Sequence, residues 1–202
     1  MKVYNRNKPS RKKKDNILIL CAGQTEEIYF EKLKNRKKLN NVTVEVHHSK
    51  RGDAGGVVRE AMKKKHLYDQ IWCVFDYDND AHFDEAIALA KSEGLNYAFS
   101  NMAFEYWFLL HKKNTSTCMN VDALVKALER EFDIAKYDKS SKCVENLCDK
   151  LMNINLEKVE ERADLLYQNK KRDCGNKPSD WCSCTTVHKL TERLRKWQEA
   201  TQ

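Results

Sequence analysis

The fold prediction for this chain starts from "ILILCAGQTEEIYF", residues 17–30. Residues 17–21 form a short, uninterrupted apolar run, and the residues from Ile28 onward place apolar side chains at helical spacing. Between the two, Ala22 and Gly23 mark a turn, and Glu26 and Glu27 stand where the first helical turn begins. Acidic side chains suit a helix N-terminus because they offset its partial positive charge. A buried strand followed at once by a helix predicts the opening unit of an α/β fold.

Strand and helix patterns alternate beyond this unit. Strands are predicted in "NVTVEVHH" (41–48), "QIWCVFDYD" (70–78) and "NYAFSN" (96–101), and helices in "VVREAMKKKHL" (57–67), "HFDEAIALAKSEG" (82–94) and "AFEYWFLLHKK" (103–113). This order predicts a mainly parallel sheet flanked by helices on both faces. From Val121 onward the strand signal disappears and four helices are predicted. We therefore expect a basic flexible tail (1–15), an α/β core (16–118) and a helical C-terminal portion packed on the core (119–202).

Composition limits the class of protein. The chain has 202 residues, of which 41% are hydrophobic and 33% charged, and no apolar run is long enough to cross a bilayer. The basic N-terminus lacks the apolar segment of a signal peptide. Among eight cysteines, Cys21 and Cys73 fall in apolar, strand-like runs, where free cysteine behaves as a small hydrophobe. We expect a cytoplasmic protein with reduced cysteines and no membrane contact.

The net charge of +7 is unevenly distributed. Basic residues cluster in the tail and in later loops and helix ends, and the candidates for nucleic-acid contact are Lys12, Lys13, Lys14, Arg51, Lys171 and Arg172. Clusters of this kind favour a polyanionic partner, and nucleic acid is the commonest. A solvated lysine-rich surface is the alternative, and charge alone does not separate the two.

Acidic residues follow three of the predicted strands. Glu26 follows the first strand, Asp76 and Asp78 end a later one, and Ser100 and Glu105 mark the next strand end and the helix after it. Ligands of open α/β sheets collect at the carboxyl ends of the strands, and hard cations such as Mg²⁺ or Mn²⁺ prefer carboxylate oxygens. Each residue alone has a plainer explanation. Glu26 is suited to capping a helix, the D-x-D pair to forming a turn, and Glu105 to pairing with an arginine.

The order of three stretches resembles a family. "ILILCAGQTEEIYF" (17–30), "IWCVFDYDND" (71–80) and "YAFSNMAFEYWFLLH" (97–111), with the later "TTVHKL" (185–190), are similar to the RloB-like proteins of bacterial anti-phage and restriction loci. The resemblance implies a Toprim-like core, a divalent metal ion and nuclease chemistry like that of OLD-type nucleases. It also implies an ATPase partner and a target in foreign nucleic acid or host RNA such as tRNA; assembly into a homo-oligomer is a further expectation.

By motif match, Glu26 corresponds to the second acid of the first Toprim motif and Asp76 and Asp78 to the D-x-D pair, with Ser100 and Glu105 in the following segment. We assign the metal to Glu26, Asp76 and Asp78. The chain departs from the family at Ala22, where a catalytic glutamate is expected, so we expect this form to be inactive. It is either a natural inactive relative or a form whose glutamate was replaced; the otherwise intact acids favour replacement. The alternative function is a non-enzymatic, nucleic-acid-binding or regulatory subunit.

A second constellation lies near the C-terminus. Cys174, Cys182, Cys184 and His188 are residue types that bind zinc. Their spacing is unlike that of common zinc sites, because the C-x-C pair is too tight and the first gap is long. We therefore do not expect zinc, and the stretch reads equally well as a loop before the last helix.

Overall fold

The computed structural model of the chain describes residues 14–37, 39 and 42–199. The strands are β1 (Asp15–Cys21), β2 (Val42–His48), β3 (Gln70–Asp76), β4 (Asn96–Asn101) and β5 (Cys184–Thr185). The helices are α1 (Gln24–Lys37), α2 (Ala54–Lys64), α3 (Phe83–Ser92), α4 (Glu105–Leu110), α5 (Val121–Phe132), α6 (Ser141–Leu151), α7 (Leu156–Asp173) and α8 (Val187–Glu199). The predicted alternation of strands and helices is confirmed.

The five strands form one sheet in the order β2-β1-β3-β4-β5. The first four are parallel, with Ile17 of β1 opposite Val44 on one side and Gln70 on the other. Parallel strands end on the same edge of a sheet, so the turn after β1, Asp76 of β3 and the end of β4 come together there. This arrangement confirms the mainly parallel α/β prediction and sets the location of the candidate site.

Helices cover both faces of the sheet. Ile17 and Ile19 pack toward α1, α4 and the C-terminal helices, whereas Leu18 and Leu20 pack toward α2 and α3. All four side chains are fully buried, and burial of each stabilises the fold by about 1.5–3 kcal/mol. The apolar run of β1 is uninterrupted because successive side chains of a strand point to opposite faces, and both faces are dry.

The C-terminal portion is helical, as predicted, but it also contributes to the sheet. β5 pairs antiparallel with β4, with Thr185 opposite Ser100 and Cys184 opposite Asn101. The prediction that no strand follows Val121 is therefore wrong. A two-residue strand is too short to give a periodic pattern, and it forms here because the edge of β4 offers unpaired backbone groups.

The C-terminal helices are apolar on one face only. In α7, the longest described helix with 18 residues, the buried Val159, Ala163 and Leu166 are spaced as one helical stripe. The remaining faces of this helix carry many charged side chains. Within the described ranges, no helix is both long and apolar enough to cross a membrane.

Two cysteines differ from the sequence expectation of a fully reduced chain. Cys118 and Cys182 form a disulfide whose Cα atoms lie 5.4 Å apart. The two residues are 64 positions apart in the sequence, so only the tertiary fold brings them together. Cys21 and Cys73 are free and buried, as predicted.

Candidate active site

The turn between β1 and α1 holds Glu26 against the end of the sheet. The backbone N–H of Ala22 donates to the Val74 carbonyl over 2.8 Å, which fixes the turn to β3. Glu26 then folds back over Gly23, where a Cβ would lie only 2.6 Å from a Glu26 carboxylate oxygen. Glycine is therefore required at position 23 for Glu26 to keep this position. The Glu26 side chain is 4% exposed, which is unusual for a carboxylate that only caps a helix.

Asp76 closes β3 on the same edge. Its Oδ2 accepts a 2.9 Å hydrogen bond from the Phe104 backbone N–H, which fixes the carboxylate between β3 and the start of α4. Its Oδ1 is buried and has no hydrogen-bond partner among the described residues. A buried carboxylate oxygen without a partner costs free energy unless a proton or a cation satisfies it.

Glu105 begins α4 and reaches the same region. Its side chain is 1% exposed, and its Oε1 accepts a 3.1 Å hydrogen bond from the Tyr137 hydroxyl. The Lys139 ammonium lies 3.0 Å from the same oxygen. Like Asp76, Glu105 has one buried oxygen, Oε2, without a partner among the described residues. Two neighbouring carboxyl groups therefore each present a free oxygen.

These acids share one pocket of about 500 Å³, which we call the acid pocket. It is lined by Ala22, Gly23, Gln24, Thr25, Glu26, Gly52, Asp53, Ala54, Asp76, Tyr77, Asp78, Asp80, Phe104, Glu105 and Lys139. Four predicted acids, Glu26, Asp76, Asp78 and Glu105, are thus brought together, and Ala22 lies beside them. The convergence follows from the common direction of β1, β3 and β4.

Asp78 reaches the pocket by a route that differs from the prediction. β3 ends at Asp76, and Asp78 lies in the following turn with a left-handed φ of 36°. The strand that the sequence predicts over 70–78 therefore ends two residues before Asp78. Aspartate tolerates this backbone conformation better than most residues, and the N–H of Asp78 donates to the Met102 carbonyl over 3.1 Å.

Burial and the charges of neighbouring acids raise the pKa values of Glu26 and Asp76. Burial is the main cause that raises the pKa of Glu26 to about 7; backbone hydrogen bonding at its helix start opposes the shift, and the charge of Glu105 adds to it. Burial also raises the pKa of Asp76 well above its usual range, with the charges of Glu26 and Glu105 adding to the effect. Lys139 counteracts both shifts by Coulombic attraction. The pocket therefore favours the binding of additional positive charge.

The carboxylates of the acid pocket could hold a hard divalent cation together with water and substrate phosphate. No group of three or more His, Cys, Asp or Glu side chains in the described part of the chain forms a ready-made metal cage. Mg²⁺ does not require one, because it is commonly held by one or two carboxylates, waters and substrate phosphate. The unpartnered oxygens of Asp76 and Glu105, with Glu26 beside them, are the groups that would hold it.

Ser100 does not join the acids. It is fully buried, its hydroxyl lies 3.1 Å from the Thr185 hydroxyl, and it is not part of the acid-pocket lining. The sequence predicts a catalytic role for Ser100. The structure instead places this residue where β4 pairs with β5, away from the acids. The sequence could not reveal this position because β5 was not recognisable.

The predicted nucleic-acid residues lie at separate places. Lys12 and Lys13 fall outside the described residues, and Lys14 is exposed just before β1. Arg51 lies in the loop before α2, next to the acid pocket, whereas Lys171 and Arg172 are exposed in the last turn of α7. Arg172 pairs with the adjacent Asp173 over 2.7 Å.

The candidate zinc residues do not form a metal site in the described structure. Cys182 is consumed by the disulfide with Cys118, and Cys184 is buried within β5. His188 is buried with its Nε2 3.5 Å from an Asp164 oxygen. Burial lowers the pKa of His188 to about 4, so its imidazole is neutral at pH 7.

Sequence reasoning missed several residues of the acid pocket. Asp80 could have been found, since it continues the "DYDND" run, whereas Asp53 stands in the loop before α2. Asp53 caps α2, with its Oδ1 accepting from the Gly56 N–H over 2.6 Å. No motif or periodic pattern in the sequence marks Lys139, or the Tyr137 that bonds Glu105, as a site residue. They lie in the connection between α5 and α6, more than thirty residues beyond Glu105.

Comparison with known proteins identifies the family. The family model described as "RloB-like protein" matches residues 17–194, which is most of the chain. The chain belongs to the RloB-like protein family. Searches of curated proteins and of solved structures found no match. All acid-pocket residues of this RloB-like chain fall inside the matched range, as do α5, α6, α7 and β5, and the match ends within α8.

Proposed function

We propose that this RloB-like chain is built as a metal-dependent, Toprim-like nuclease that hydrolyses phosphodiester bonds in RNA, such as tRNA, or in DNA. The observation that carries the proposal is the acid pocket, where the buried Glu26 and Glu105 meet the half-buried Asp76 at the carboxyl edge of a parallel sheet. Carboxylate oxygens that are buried without partners lower the stability of the fold. A protein that binds a cation for its reaction would keep them despite this cost, because they hold the cation.

Each side chain has a distinct part in this proposal. Asp76 and Glu105 each have one oxygen already engaged, and the other oxygen of each would hold Mg²⁺ or Mn²⁺. Glu26 and Asp78 would supply further negative charge to the ion. The bound ion would neutralise phosphate charge and lower the pKa of an attacking water. Lys139 offers a fixed ammonium group within reach of a phosphate oxygen.

Ala22 explains why this form is expected to be inactive. It lies on the pocket wall beside the acids, in the position where the family resemblance places a glutamate. A methyl group can neither bind a cation nor transfer a proton. Loss of one member of a catalytic unit commonly removes most of the rate, so the other acids can be in place without activity.

The direct test restores the missing carboxylate. Ala22→Glu protein, supplied with Mn²⁺ or Mg²⁺, should cleave RNA or DNA, and EDTA should stop the reaction. The matched control is the double variant Ala22→Glu/Asp76→Asn, which keeps the shape of Asp76 and loses its charge. Absence of metal-dependent cleavage by folded Ala22→Glu protein on both RNA and DNA would refute the nuclease proposal.

The second candidate function is a non-enzymatic nucleic-acid-binding or regulatory subunit, and the alanine at position 22 favours it. Binding without cleavage by the Ala22→Glu protein would support this alternative. In either case we propose a role in bacterial anti-phage defence with an ATPase from the same locus as partner, and the resemblance to the RloB-like family supports both. A cytoplasmic location and self-assembly are further parts of the proposal.

A further inference from the structure

A second groove, which we call the α2 groove, lies beside the acid pocket and has the opposite charge. It is a cavity of about 790 Å³ lined by Lys50, Arg51, Gly56, Arg59, Glu60, Met62, Lys63 and Lys64. Five of these eight residues are cationic and one is acidic. The groove is therefore a concentrated positive surface on the solvent-facing side of α2 and its preceding loop.

The single acid of the α2 groove is already engaged. Glu60 lies 3.1 Å from the Lys64 ammonium and accepts a 2.9 Å hydrogen bond from the Ser49 hydroxyl. Arg51 and Lys63, by contrast, have no carboxylate partner among the described residues, and both are exposed. Their charges are available to an external anion.

The two cavities share a wall. Residues 52, 53 and 54 line the acid pocket, whereas residues 50, 51 and 56 line the α2 groove, so a single loop separates the two. A phosphodiester substrate is repelled by an acid pocket unless cations hold it from elsewhere. The α2 groove supplies such cations directly next to the carboxylates.

We infer that the α2 groove is the track along which a nucleic-acid backbone enters the acid pocket. The inference rests on the proposed function and adds the surface that grips the substrate. α2 spans 11 residues, or about 16 Å, which matches the axial length of roughly four or five nucleotides of one strand. The lining contains lysine and arginine but no aromatic ring for base stacking, so contacts go to phosphates and are independent of sequence.

The test measures binding separately from cleavage. A fluorescein-labelled single-stranded RNA and a DNA of the same sequence are titrated with the full chain in EDTA, over a series of salt concentrations, by fluorescence anisotropy. The test variant is Arg51→Gln/Lys63→Gln. The matched control is Lys126→Gln/Lys158→Gln, which removes the same charge from exposed positions on α5 and α7.

The test variant should bind about tenfold more weakly than the unmodified chain, and the slope of log affinity against log salt should decrease by about 0.7 for each lost phosphate contact. The control should retain the unmodified affinity, and both variants should keep the melting temperature. Equal binding of RNA and DNA would indicate recognition of phosphates alone, and tighter RNA binding would add contacts to the 2′-hydroxyl.

Equal weakening by both variants, or no binding of either nucleic acid by the unmodified chain, would overturn the inference. Failure of the proposed function looks different. In that case the Ala22→Glu protein would not cleave, while the binding defect of the Arg51→Gln/Lys63→Gln variant would persist.

Discussion

Glu26 and Glu27 are neighbours in the first turn of α1, but their surroundings differ. Glu26 is buried, folds over Gly23 and lines the acid pocket. Glu27 is half-buried and is not part of the pocket lining. A helix N-terminus favours both charges equally, so helix capping alone does not account for the burial of Glu26.

Replacement by glutamine should separate the two roles. In the Ala22→Glu background, we expect Glu26→Gln to lose Mn²⁺ affinity and cleavage while remaining folded, because the amide keeps the shape but lacks the charge that a hard cation requires. Glu27→Gln should retain both properties and lose at most about 0.3–1 kcal/mol of unfolding free energy. Calorimetric titration with Mn²⁺ and thermal melts measure these quantities. Identical behaviour of the two variants would reduce Glu26 to a helix cap.

Lys139 is the residue that balances the charge of the acids. Burial opposes its charged form, but attraction by Glu105, followed by Asp76 and Glu26, raises its pKa overall. We expect Lys139→Met to destabilise the protein by about 1–3 kcal/mol at pH 7, because the buried Glu105 loses its charged partner. Added Mn²⁺ should recover more stability in this variant than in the unmodified chain, since the ion replaces the missing charge.

The control for Lys139 is Lys142, which is exposed and, unlike Lys139, forms no ion pair among the described residues; the variant is Lys142→Met. It should leave the chemical-denaturation midpoint and the Mn²⁺ effect unchanged. If Lys139→Met and Lys142→Met gave the same midpoint, the ion pair with Glu105 would have no net value, as is common for exposed pairs.

At the scale of elements, α4 is short and wholly buried, and its C-terminal end needs partners for its carbonyl groups. Arg162 of α7 supplies one by donating to the Leu110 carbonyl over 2.8 Å. His111 supplies another through its Nδ1, which lies 2.9 Å from the Trp107 carbonyl. Neutral His111 donates this hydrogen bond and keeps its second ring nitrogen uncharged within the core.

The burial of His111 should make stability depend on pH. Burial is the main cause that lowers the pKa of His111 to about 4; the hydrogen bond to Trp107 opposes the shift, and the Arg162 guanidinium contributes to it. The unfolded chain takes up this proton below about pH 6.5, whereas the folded chain does so only near pH 4. The contribution of His111 to unfolding free energy should therefore be complete above pH 6.5 and fall by up to about 3 kcal/mol as the pH decreases to 4.

Urea denaturation from pH 7.5 to 4, compared between the unmodified chain and His111→Gln, isolates this contribution. The difference in unfolding free energy between the two proteins should shrink as the pH decreases, because glutamine does not titrate. A difference that stays constant over this range would show that His111 has the same pKa in both states.

At the scale of the whole molecule, the sheet and the C-terminal helices share one core. Val187, Leu190 and Leu194 of α8 are fully buried in the same cluster as Ile17 and Ile19 of β1. β5 extends the sheet from within the helical portion. The boundary that the sequence suggests near residue 118 therefore does not separate two independent cores.

A defect in α8 should consequently destabilise the entire molecule. We expect Leu190→Ala to lower the unfolding free energy by about 2–5 kcal/mol, because it leaves a cavity in the shared core. Far-UV circular dichroism and tryptophan fluorescence should report one coincident transition, since Trp72 and Trp107 lie in this cluster too. The control Lys196→Ala, at an exposed site on the same helix, should have little effect. Two separated transitions would instead show independent folding of the C-terminal helices.

The sequence alone determined the α/β class, a mainly parallel sheet and the acids that follow its strands. These features are local, because a strand pattern is readable over a few residues and parallel strands place their carboxyl ends on one edge. Glu26, Asp76, Asp78 and Glu105 could therefore be predicted to meet before any coordinates were known. The family itself was also recognisable from these stretches.

Only the tertiary structure decided which other residues join or leave this group. Lys139 lines the acid pocket from a loop whose sequence has no periodic pattern. The Ser100 hydroxyl lies against the Thr185 hydroxyl, and Cys182 forms a disulfide with Cys118. Each of these contacts links positions far apart in the chain. Such contacts depend on how helices and loops pack over the sheet, and packing leaves no repeating pattern in the sequence from which it could be predicted.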